Sequence, residues 1–150
     1  AHEPQQLNEN GGRIKHLGRV DRISPELRDE LEQAVTITAS NTGLTLGIAF
    51  DYGGRAEITN AARQMIADGV SANDVDESKV AEYLYTADMP DVDLLIRTGG
   101  DFRISNFLLW QTAYSEFYSS EILWPDFFGE HIDKAFESFS ERQRRFGKRA

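Results

Sequence analysis

The segment IRTGGDFRISN, residues 96–106, combines features that suit the binding of a phosphate-like anion. Arg97 and Arg103 carry guanidinium groups that bind phosphate oxygens through paired hydrogen bonds, and Ser105 adds a hydroxyl donor. The two adjacent glycines between the arginines let the backbone approach a ligand closely. A helix beginning at Ser105 would add the partial positive charge of its N-terminus. This spacing favours an anion site directly after an apolar run.

A structural interpretation of the same residues is equally compatible with the sequence. Arg97 could instead form an ion pair with a nearby carboxylate, Asp93 or Asp101. Ser105 and Asn106 are residue types that cap helices, and they would then only begin the helix. The segment is not a Walker A loop and lacks the spacing of the dinucleotide-binding fingerprint. From the residues alone, both interpretations stay open.

The elements that must position this segment alternate along the chain. Strands are predicted at residues 13–19, 44–50 and 92–96, with a further extended segment after residue 116. Helices are predicted at residues 24–38, 56–66, 77–85, 105–114 and 131–145. This alternation predicts an α/β fold with a mostly parallel sheet flanked by helices. Such sheets bind ligands beyond the carboxyl ends of their strands, where Arg97 to Ser105 lie.

The composition limits the kinds of site and partner. A formal net charge of −9 argues against nucleic acid as a partner, because such binding needs a basic face that neutralises phosphates. The chain has no cysteine, which excludes zinc-thiolate sites and disulfides and suits a reducing cytoplasm. No apolar run reaches the roughly 20 residues that span a bilayer. The basic C-terminal segment ERQRRFGKR is, by composition, a solvated helix end.

Three longer segments carry a resemblance to one family. VDLLIRTGGDFRISNFLLWQTAYSEFYSSEILWPDF resembles the C-terminal signature of the cis-prenyltransferases, the undecaprenyl diphosphate synthase family of isoprenyl transferases. NTGLTLGIAFDYGGRAEI and RQRRFG extend the resemblance to residues 12–147. It implies an enzyme that condenses isopentenyl diphosphate with an allylic diphosphate such as farnesyl diphosphate, assisted by Mg²⁺. The product would be a cis-polyprenyl diphosphate, in bacteria the carrier lipid for cell-wall sugars.

The resemblance implies roles for individual residues. Arg97, Arg103 and Ser105, with the backbone at Ile104, correspond to the residues that hold the diphosphate of isopentenyl diphosphate. Glu116 corresponds to the family's magnesium-binding glutamate. A single glutamate suits Mg²⁺, which accepts one or two carboxylates together with phosphate oxygens and water. Arginine and metal would offset the negative charge that develops on the leaving diphosphate.

The resemblance also implies partners. Arg145 and Gly147 in the basic tail resemble the Arg-x-Gly element that reaches across a homodimer toward the partner's site. The product tail would occupy an apolar tunnel, for which Leu44, Leu46 and Ile48 are candidate lining residues, although for any single one of them an ordinary core position is the better interpretation. A lipid product would bring peripheral contact with a membrane.

The sequence departs from the family pattern at several points. Phe102 stands where some relatives carry histidine, so no auxiliary metal ligand is expected there, and Asp51 stands where asparagine is common. The sequence contains no Asp-Gly-Asn-Gly-Arg motif, whose aspartate binds magnesium and whose glycines and arginine bind the allylic diphosphate. We expect residues 1–150 to be the C-terminal part of a single cis-prenyltransferase domain, inactive alone. The alternative is a non-catalytic partner subunit of a heteromeric cis-prenyltransferase.

Overall fold

The computed structural model describes residues 3–142, and the chain divides into two compact units. Unit 1 is Ala1–Asp88 and unit 2 is Met89–Ala150. The elements of unit 1 are α1 (Glu3–Glu9), β1 (Arg13–Leu17), α2 (Pro25–Thr38), β2 (Thr45–Ala49), α3 (Gly54–Ala67) and α4 (Glu77–Glu82). The elements of unit 2 are β3 (Leu94–Thr98), β4 (Glu116–Ser120) and α5 (Gly129–Glu141). The prediction of one domain across residues 1–150 stays a prediction.

Unit 1 is built on a parallel pair of strands. β1 and β2 lie side by side with Ile14 opposite Leu46, and α2 connects them and packs against β1. The start of α2 follows from its sequence: the Ser24 side chain accepts a hydrogen bond from Leu27 N, and Pro25 occupies the first helical turn. Proline is tolerated there because the first N–H groups of a helix have no partner within the helix. The sequence prediction of this helix start is confirmed.

Unit 1 contains a buried core. Its buried apolar side chains are those of Ile14, Leu17, Ala34, Ala61, Met65 and Leu84. Thr38 on α2 is fully buried, and its Oγ1 accepts a hydrogen bond from Ile14 N at 3.0 Å and donates one to Ala34 O at 2.8 Å. The Thr38 hydroxyl therefore satisfies a backbone N–H on the edge of β1, a group that would otherwise be open to pairing with another strand.

Two close contacts hold together the strand ends and the helices of unit 1. Gly18 has a φ of +139°, and a Cβ atom there would lie 2.1 Å from Phe50 O, so only glycine fits between the two strand ends. α3 begins directly after Gly53. In its first turn Glu57 is 1% exposed, and Oε1 accepts a hydrogen bond from Tyr85 N at 2.9 Å. This buried carboxylate joins α3 to the segment after α4.

Unit 2 is also built on a parallel strand pair, but it is less buried. Leu94 lies opposite Glu116 and Arg97 lies opposite Ser119, and α5 packs against β4. Every residue of β3 and β4 is half-buried. Within the described part of unit 2, Ala135 is the only buried apolar residue. Large apolar side chains are exposed instead, including those of Phe102, Tyr114, Leu123, Trp124, Phe128 and Phe136.

The predicted α/β fold class is confirmed, because both strand pairs are parallel and are accompanied by helices. In the described residues the strands form two separate two-stranded sheets, whereas the sequence analysis expected one sheet. β3 begins and ends two residues later than the predicted strand 92–96. Because it extends to Thr98, Arg97 lies within the strand. No helix of the described chain is long and apolar enough to cross a bilayer.

The helix predictions differ from the structure in extent and, in one case, in kind. α1 was not predicted, α4 ends at Glu82, three residues before the predicted end, and α5 begins at Gly129, two residues before the predicted start. The predicted helix at residues 105–114 is wrong, because this segment forms turns. Ser105 and Asn106 have φ values of 51° and 65°, and this left-handed backbone cannot continue into a right-handed helix.

Candidate functional site

The residues predicted to bind an anion lie at the end of β3 and in the loop that follows it. Arg97 is the fourth of five residues in β3, and residues 99–106 form the loop. The loop is turned by left-handed backbone at Gly99 and Gly100, with φ values of 86° and 79°. A Cβ atom on Gly100 would lie 2.9 Å from Glu121 Oε2, so the Glu121 side chain packs closely against the loop at this point.

Arg97 makes three hydrogen bonds to this loop. Its Nη1 donates to Arg103 O at 2.8 Å and to Ser105 Oγ at 3.1 Å. Its Nη2 donates to Asp101 Oδ2 at 2.9 Å. The Arg97 side chain is 26% exposed, and its buried Nε has no hydrogen-bond partner within residues 3–142. A donor that is buried without a partner destabilises a protein, and an acceptor from a bound ligand would relieve that penalty.

Arg103 binds the same carboxylate as Arg97. Its Nη2 donates to Asp101 Oδ2 at 2.6 Å, and its side chain is 65% exposed. The backbone of Asp101 is held in turn, because Ser119 Oγ on β4 donates to Asp101 O at 3.2 Å. One carboxylate oxygen therefore bridges two guanidinium groups. We call Arg97, Asp101, Arg103 and Ser105 the arginine cluster.

The arginine cluster contains features of both interpretations left open by the sequence. Arg97, Arg103 and Ser105 converge, as the anion-site interpretation predicts, and Arg97 pairs with Asp101, as the structural interpretation predicts. Ile104 lies in the same loop with its side chain exposed, and its carbonyl accepts a hydrogen bond from Phe107 N. The helix N-terminus that was expected to contribute positive charge does not form.

Glu116 lies apart from the arginine cluster. It is opposite Leu94, three positions along the strand pair from Arg97 and Ser119, which corresponds to about 10 Å. Because side chains alternate between the two faces of a sheet, Glu116 also projects from the opposite face to Arg97. The structure brings Arg97, Arg103 and Ser105 together but does not bring Glu116 to them.

Glu116 is instead paired with the end of α5. Arg142 Nη1 donates to Glu116 Oε2 at 3.0 Å and to Phe117 O at 2.9 Å. The described residues contain no group of three or more histidine, cysteine, aspartate or glutamate side chains that could hold a metal ion. Glu116 supplies one carboxylate, whose Oε2 is paired with a guanidinium, and its role as a magnesium ligand stays a prediction.

The other predicted residues have mixed outcomes. Arg145 and Gly147 lie outside the described residues. Leu44, Leu46 and Ile48, the candidate tunnel residues, are 75%, 45% and 36% exposed. They therefore lie at the surface of unit 1 and not in its core, and their role toward a product tail stays a prediction.

Phe102 and Asp51, the two residues that depart from the family pattern, each contact other side chains. Phe102 is 80% exposed and its ring meets that of Phe117 edge to face, with the centroids 4.6 Å apart. Asp51 has a φ of 47°, and its carboxylate lies 3.7 Å from Arg19 Nε and 3.9 Å from Arg22 Nη1. An aspartate tolerates this left-handed backbone better than most residues do, which explains how it fits in place of asparagine.

The sequence indicates the pairing of Asp101 with Arg97 but not its bridge to Arg103, nor the pairing of Arg142 with Glu116. Asp101 was considered only as a competing partner of Arg97, and its bridge to Arg103 depends on the loop conformation. Arg142 was included in a basic tail that was interpreted as solvated, although Glu116 binds it across 26 residues of sequence. No local sequence pattern connects Glu116 with Arg142, so only the folded chain reveals their ion pair.

Comparison with known proteins gives a consistent result. The prenyltransferase family model described as undecaprenyl diphosphate synthase matches residues 1–147. An isoprenyl transferase of Neisseria meningitidis serogroup A is 52% identical over 144 residues, covering 96% of this chain and 57% of the relative. One from Rickettsia bellii is 50% identical over 147 residues, covering 98% of this chain and 64% of the relative. The chain thus spans less than two thirds of these curated relatives.

Two crystal structures have the same fold as this chain. A probable undecaprenyl diphosphate synthase from Campylobacter jejuni matches with a TM-score of 0.85 and 32% identity, over 97% of this chain and 67% of that one. The lavandulyl diphosphate synthase of Lavandula x intermedia, in complex with dimethylallyl diphosphate, matches with a TM-score of 0.90 and 32% identity, over 97% and 64%. The family model, the curated relatives and the fold agree, and this chain belongs to the undecaprenyl diphosphate synthase family of isoprenyl transferases.

Proposed function

We propose that this chain contributes the isopentenyl diphosphate subsite of an isoprenyl transferase. The complete reaction condenses isopentenyl diphosphate with an allylic diphosphate such as farnesyl diphosphate, lengthens the cis-polyprenyl chain by one unit and releases inorganic diphosphate and a proton from isopentenyl diphosphate. The product is an undecaprenyl-type diphosphate. Membership of the family and about 50% identity to curated isoprenyl transferases support this proposal.

One observation carries the proposal for the arginine cluster. Asp101 Oδ2 lies 2.9 Å from Arg97 Nη2 and 2.6 Å from Arg103 Nη2, so both guanidinium groups converge on one position for an anionic oxygen. A diphosphate oxygen at this position would receive charge-assisted hydrogen bonds from both arginines. Ser105 Oγ, 3.1 Å from Arg97 Nη1, is close enough to donate to a neighbouring phosphate oxygen.

In this role the arginine cluster binds the substrate and does not react with it. Holding the diphosphate end of isopentenyl diphosphate limits the positions of its double bond, so that the condensation proceeds from an aligned pair of reactants. No covalent intermediate with the protein is part of the proposal.

Magnesium is part of the proposed function as the cofactor of the intact enzyme. Glu116 is proposed as one ligand, with phosphate oxygens, water and residues outside this sequence completing the coordination. This role requires Arg142 to release the Glu116 carboxylate, because the two groups are paired at 3.0 Å. We assign no reaction step of this chain to the metal.

The behaviour of the longer enzyme is also proposed. The 150 residues alone are not expected to turn over substrate, because the family's catalytic aspartate belongs to a motif that this sequence does not contain. The intact enzyme is proposed to be a cytoplasmic homodimer in which Arg145 and Gly147 complete the partner's site. Its lipid product would bring it into peripheral contact with a membrane.

The subsite is tested by binding of radiolabelled isopentenyl diphosphate to the full 150-residue chain. We expect Arg97→Ala to weaken binding about 100-fold, Arg103→Ala about 30-fold and Ser105→Ala about 5-fold, since charge-assisted hydrogen bonds contribute more than neutral ones. Arg63→Ala, which removes an exposed arginine of α3, is the charge-matched control and should bind like the unaltered chain. Equal affinities for Arg97→Ala and Arg63→Ala would exclude the subsite.

Turnover separates an inactive part of an enzyme from a supporting subunit. The pure chain should yield no polyprenyl product from farnesyl and isopentenyl diphosphates, and product above background would contradict this. If the chain raises the turnover of a separate catalytic subunit while failing to bind isopentenyl diphosphate, the alternative of a non-catalytic partner subunit is favoured. Binding that depends on Arg97 favours the enzyme subsite.

A further inference from the structure

Asp101 occupies the position in the arginine cluster where the proposed function requires a phosphate oxygen. Its Oδ2 is the common acceptor of Arg97 Nη2 and Arg103 Nη2. We infer that Asp101 is an internal competitor of the diphosphate, a carboxylate that offsets part of the charge of the two arginines and must leave them when substrate binds. This inference rests on the proposed function of the arginine cluster.

The convergence of Arg97 and Arg103 needs such a carboxylate for electrostatic reasons. Two guanidinium groups that converge on one point repel each other, and a single carboxylate between them offsets that repulsion. Arg97 is mostly shielded from water, with 26% of its side chain exposed, so solvent compensates its charge less than it compensates that of Arg103 at 65%. Asp101 therefore stabilises the convergent arrangement before any ligand is present.

In the occupied site the same carboxylate opposes binding. A diphosphate carries several negative charges and would itself bridge Arg97 and Arg103, so the carboxylate is no longer needed to hold them together. Asp101 would then lie a few ångströms from phosphate oxygens and repel them. Its negative charge consequently lowers the affinity for any diphosphate at this position, including a released diphosphate product.

The loop allows the carboxylate to move while its backbone stays in place. Ser119 Oγ on β4 donates to Asp101 O at 3.2 Å, which fixes the main chain of Asp101 against the strand. The side chain is 44% exposed, so rotation of its carboxylate toward solvent meets little steric resistance. Displacement thus requires a change of side-chain rotamer and no rearrangement of the loop.

The experiment compares diphosphate affinity among variants of the full chain by calorimetric titration with isopentenyl diphosphate and, separately, with inorganic diphosphate. Asp101→Asn keeps the size of the side chain and removes its charge, and we expect it to bind both ligands about tenfold more tightly. Asp101→Ser, a second neutral variant, should change affinity in the same direction. Asp101→Glu keeps the charge and should stay within about threefold of the unaltered chain. Asp91→Asn, an exposed carboxylate of the same unit, is the charge-matched control and should show no gain.

A second measurement distinguishes competition from a purely structural role. Asp101→Asn should lower the thermal midpoint of the chain measured without added ligand but not that of the chain saturated with ligand, because a bound diphosphate replaces the carboxylate between the arginines. Unchanged or weaker affinity in both neutral variants, or a gain in Asp91→Asn equal to that in Asp101→Asn, would overturn the inference. Failure of the proposed function itself has a different signature, which is full affinity in Arg97→Ala.

Discussion

Two Gly-Gly pairs follow apolar strands in this chain, one in each unit, and they lead to different structures. In unit 1 Gly53 has an extended backbone with a φ of −164°, and α3 begins directly after it. In unit 2 Gly99 and Gly100 have positive φ values, and the chain returns to β3, where Arg97 donates to Arg103 O. A Gly-Gly pair thus precedes a helix in unit 1 and forms part of an irregular loop in unit 2. The residues that follow the pair determine which of the two structures forms.

The two units also differ in how their stability is supplied. Among the described residues, unit 1 buries six apolar side chains, whereas the buried apolar side chain of unit 2 is that of Ala135. Unit 2 instead exposes large aromatic residues, and Trp124 is 75% exposed. Extended apolar surface of this kind is typical of faces that another molecule or chain segment covers. Unit 1 therefore provides a core, and unit 2 provides the candidate site and an apolar surface.

The largest expected effect concerns the core of unit 1. Leu17→Ala should lower the free energy of unfolding by about 3 kcal/mol, because it removes a side chain that is 4% exposed and leaves a cavity. Leu123→Ala in unit 2, where leucine is 61% exposed, should change it by less than about 0.5 kcal/mol. Urea unfolding followed by circular dichroism measures both. Equal losses would contradict the assignment of the core to unit 1.

Tryptophan fluorescence makes this comparison specific to one unit. Both tryptophans, Trp110 and Trp124, belong to unit 2, and unit 1 has none. Leu17→Ala should therefore shift the circular dichroism transition to lower urea concentration than the fluorescence transition. Coincident shifts would show that the two units unfold as one.

The next largest effect concerns the edge of β1. Thr38→Val keeps the shape of the side chain but leaves Ile14 N without its acceptor, and we expect a loss of about 2 kcal/mol. Thr36→Val, at an exposed position of the same helix, is the matched control and should be almost neutral. Self-association of Thr38→Val in analytical ultracentrifugation would sharpen the comparison, because an uncovered strand edge can pair with another chain.

A smaller effect is expected for the ion pair of unit 2. A double-mutant cycle with Glu116→Gln and Arg142→Gln should give a coupling of about 1 kcal/mol, because both side chains are partly exposed and solvent screens the pair. The local pair of Lys79 and Glu82 in α4 should give a smaller coupling, because solvent screens neighbouring charges on an exposed helix. A coupling of zero would show that the pair of Glu116 and Arg142 does not stabilise the packing of the end of α5 on β4.

The smallest effect is an alkaline loss of stability in unit 1. Burial, and then the negative charge of Glu57, raise the pKa of Tyr85. A tyrosine whose pKa is higher in the folded state stabilises the fold below the unfolded pKa of about 10 and loses this contribution as the pH rises above it. Between pH 8 and pH 10.5, the urea midpoint of unfolding should therefore fall further for the unaltered chain than for Tyr85→Phe. The same fall in both chains would assign the alkaline loss to other groups.

Much of unit 1 could be predicted from its sequence, because its signals are local. Ser24 and Pro25 start α2, and the apolar runs of β1 and β2 have the length and residue types of strands. In unit 2 the same reasoning placed a helix at Ser105, where helix-capping residues precede an apolar segment. The structure has left-handed turns there, since the contacts of Arg97 with Arg103 O and Ser105 Oγ hold the loop in another conformation.

The sequence by itself determined the family, the strand that precedes the site and the identity of the arginines and serine that converge in it. These depend on residue types and on contacts between near neighbours in the chain. Only the tertiary structure decided that Asp101 bridges Arg97 and Arg103, and that Glu116 pairs with Arg142 on the other face of the strands. The physical reason is that strand register and loop conformation set the distances between side chains, and neither is encoded by the spacing of residues along the chain.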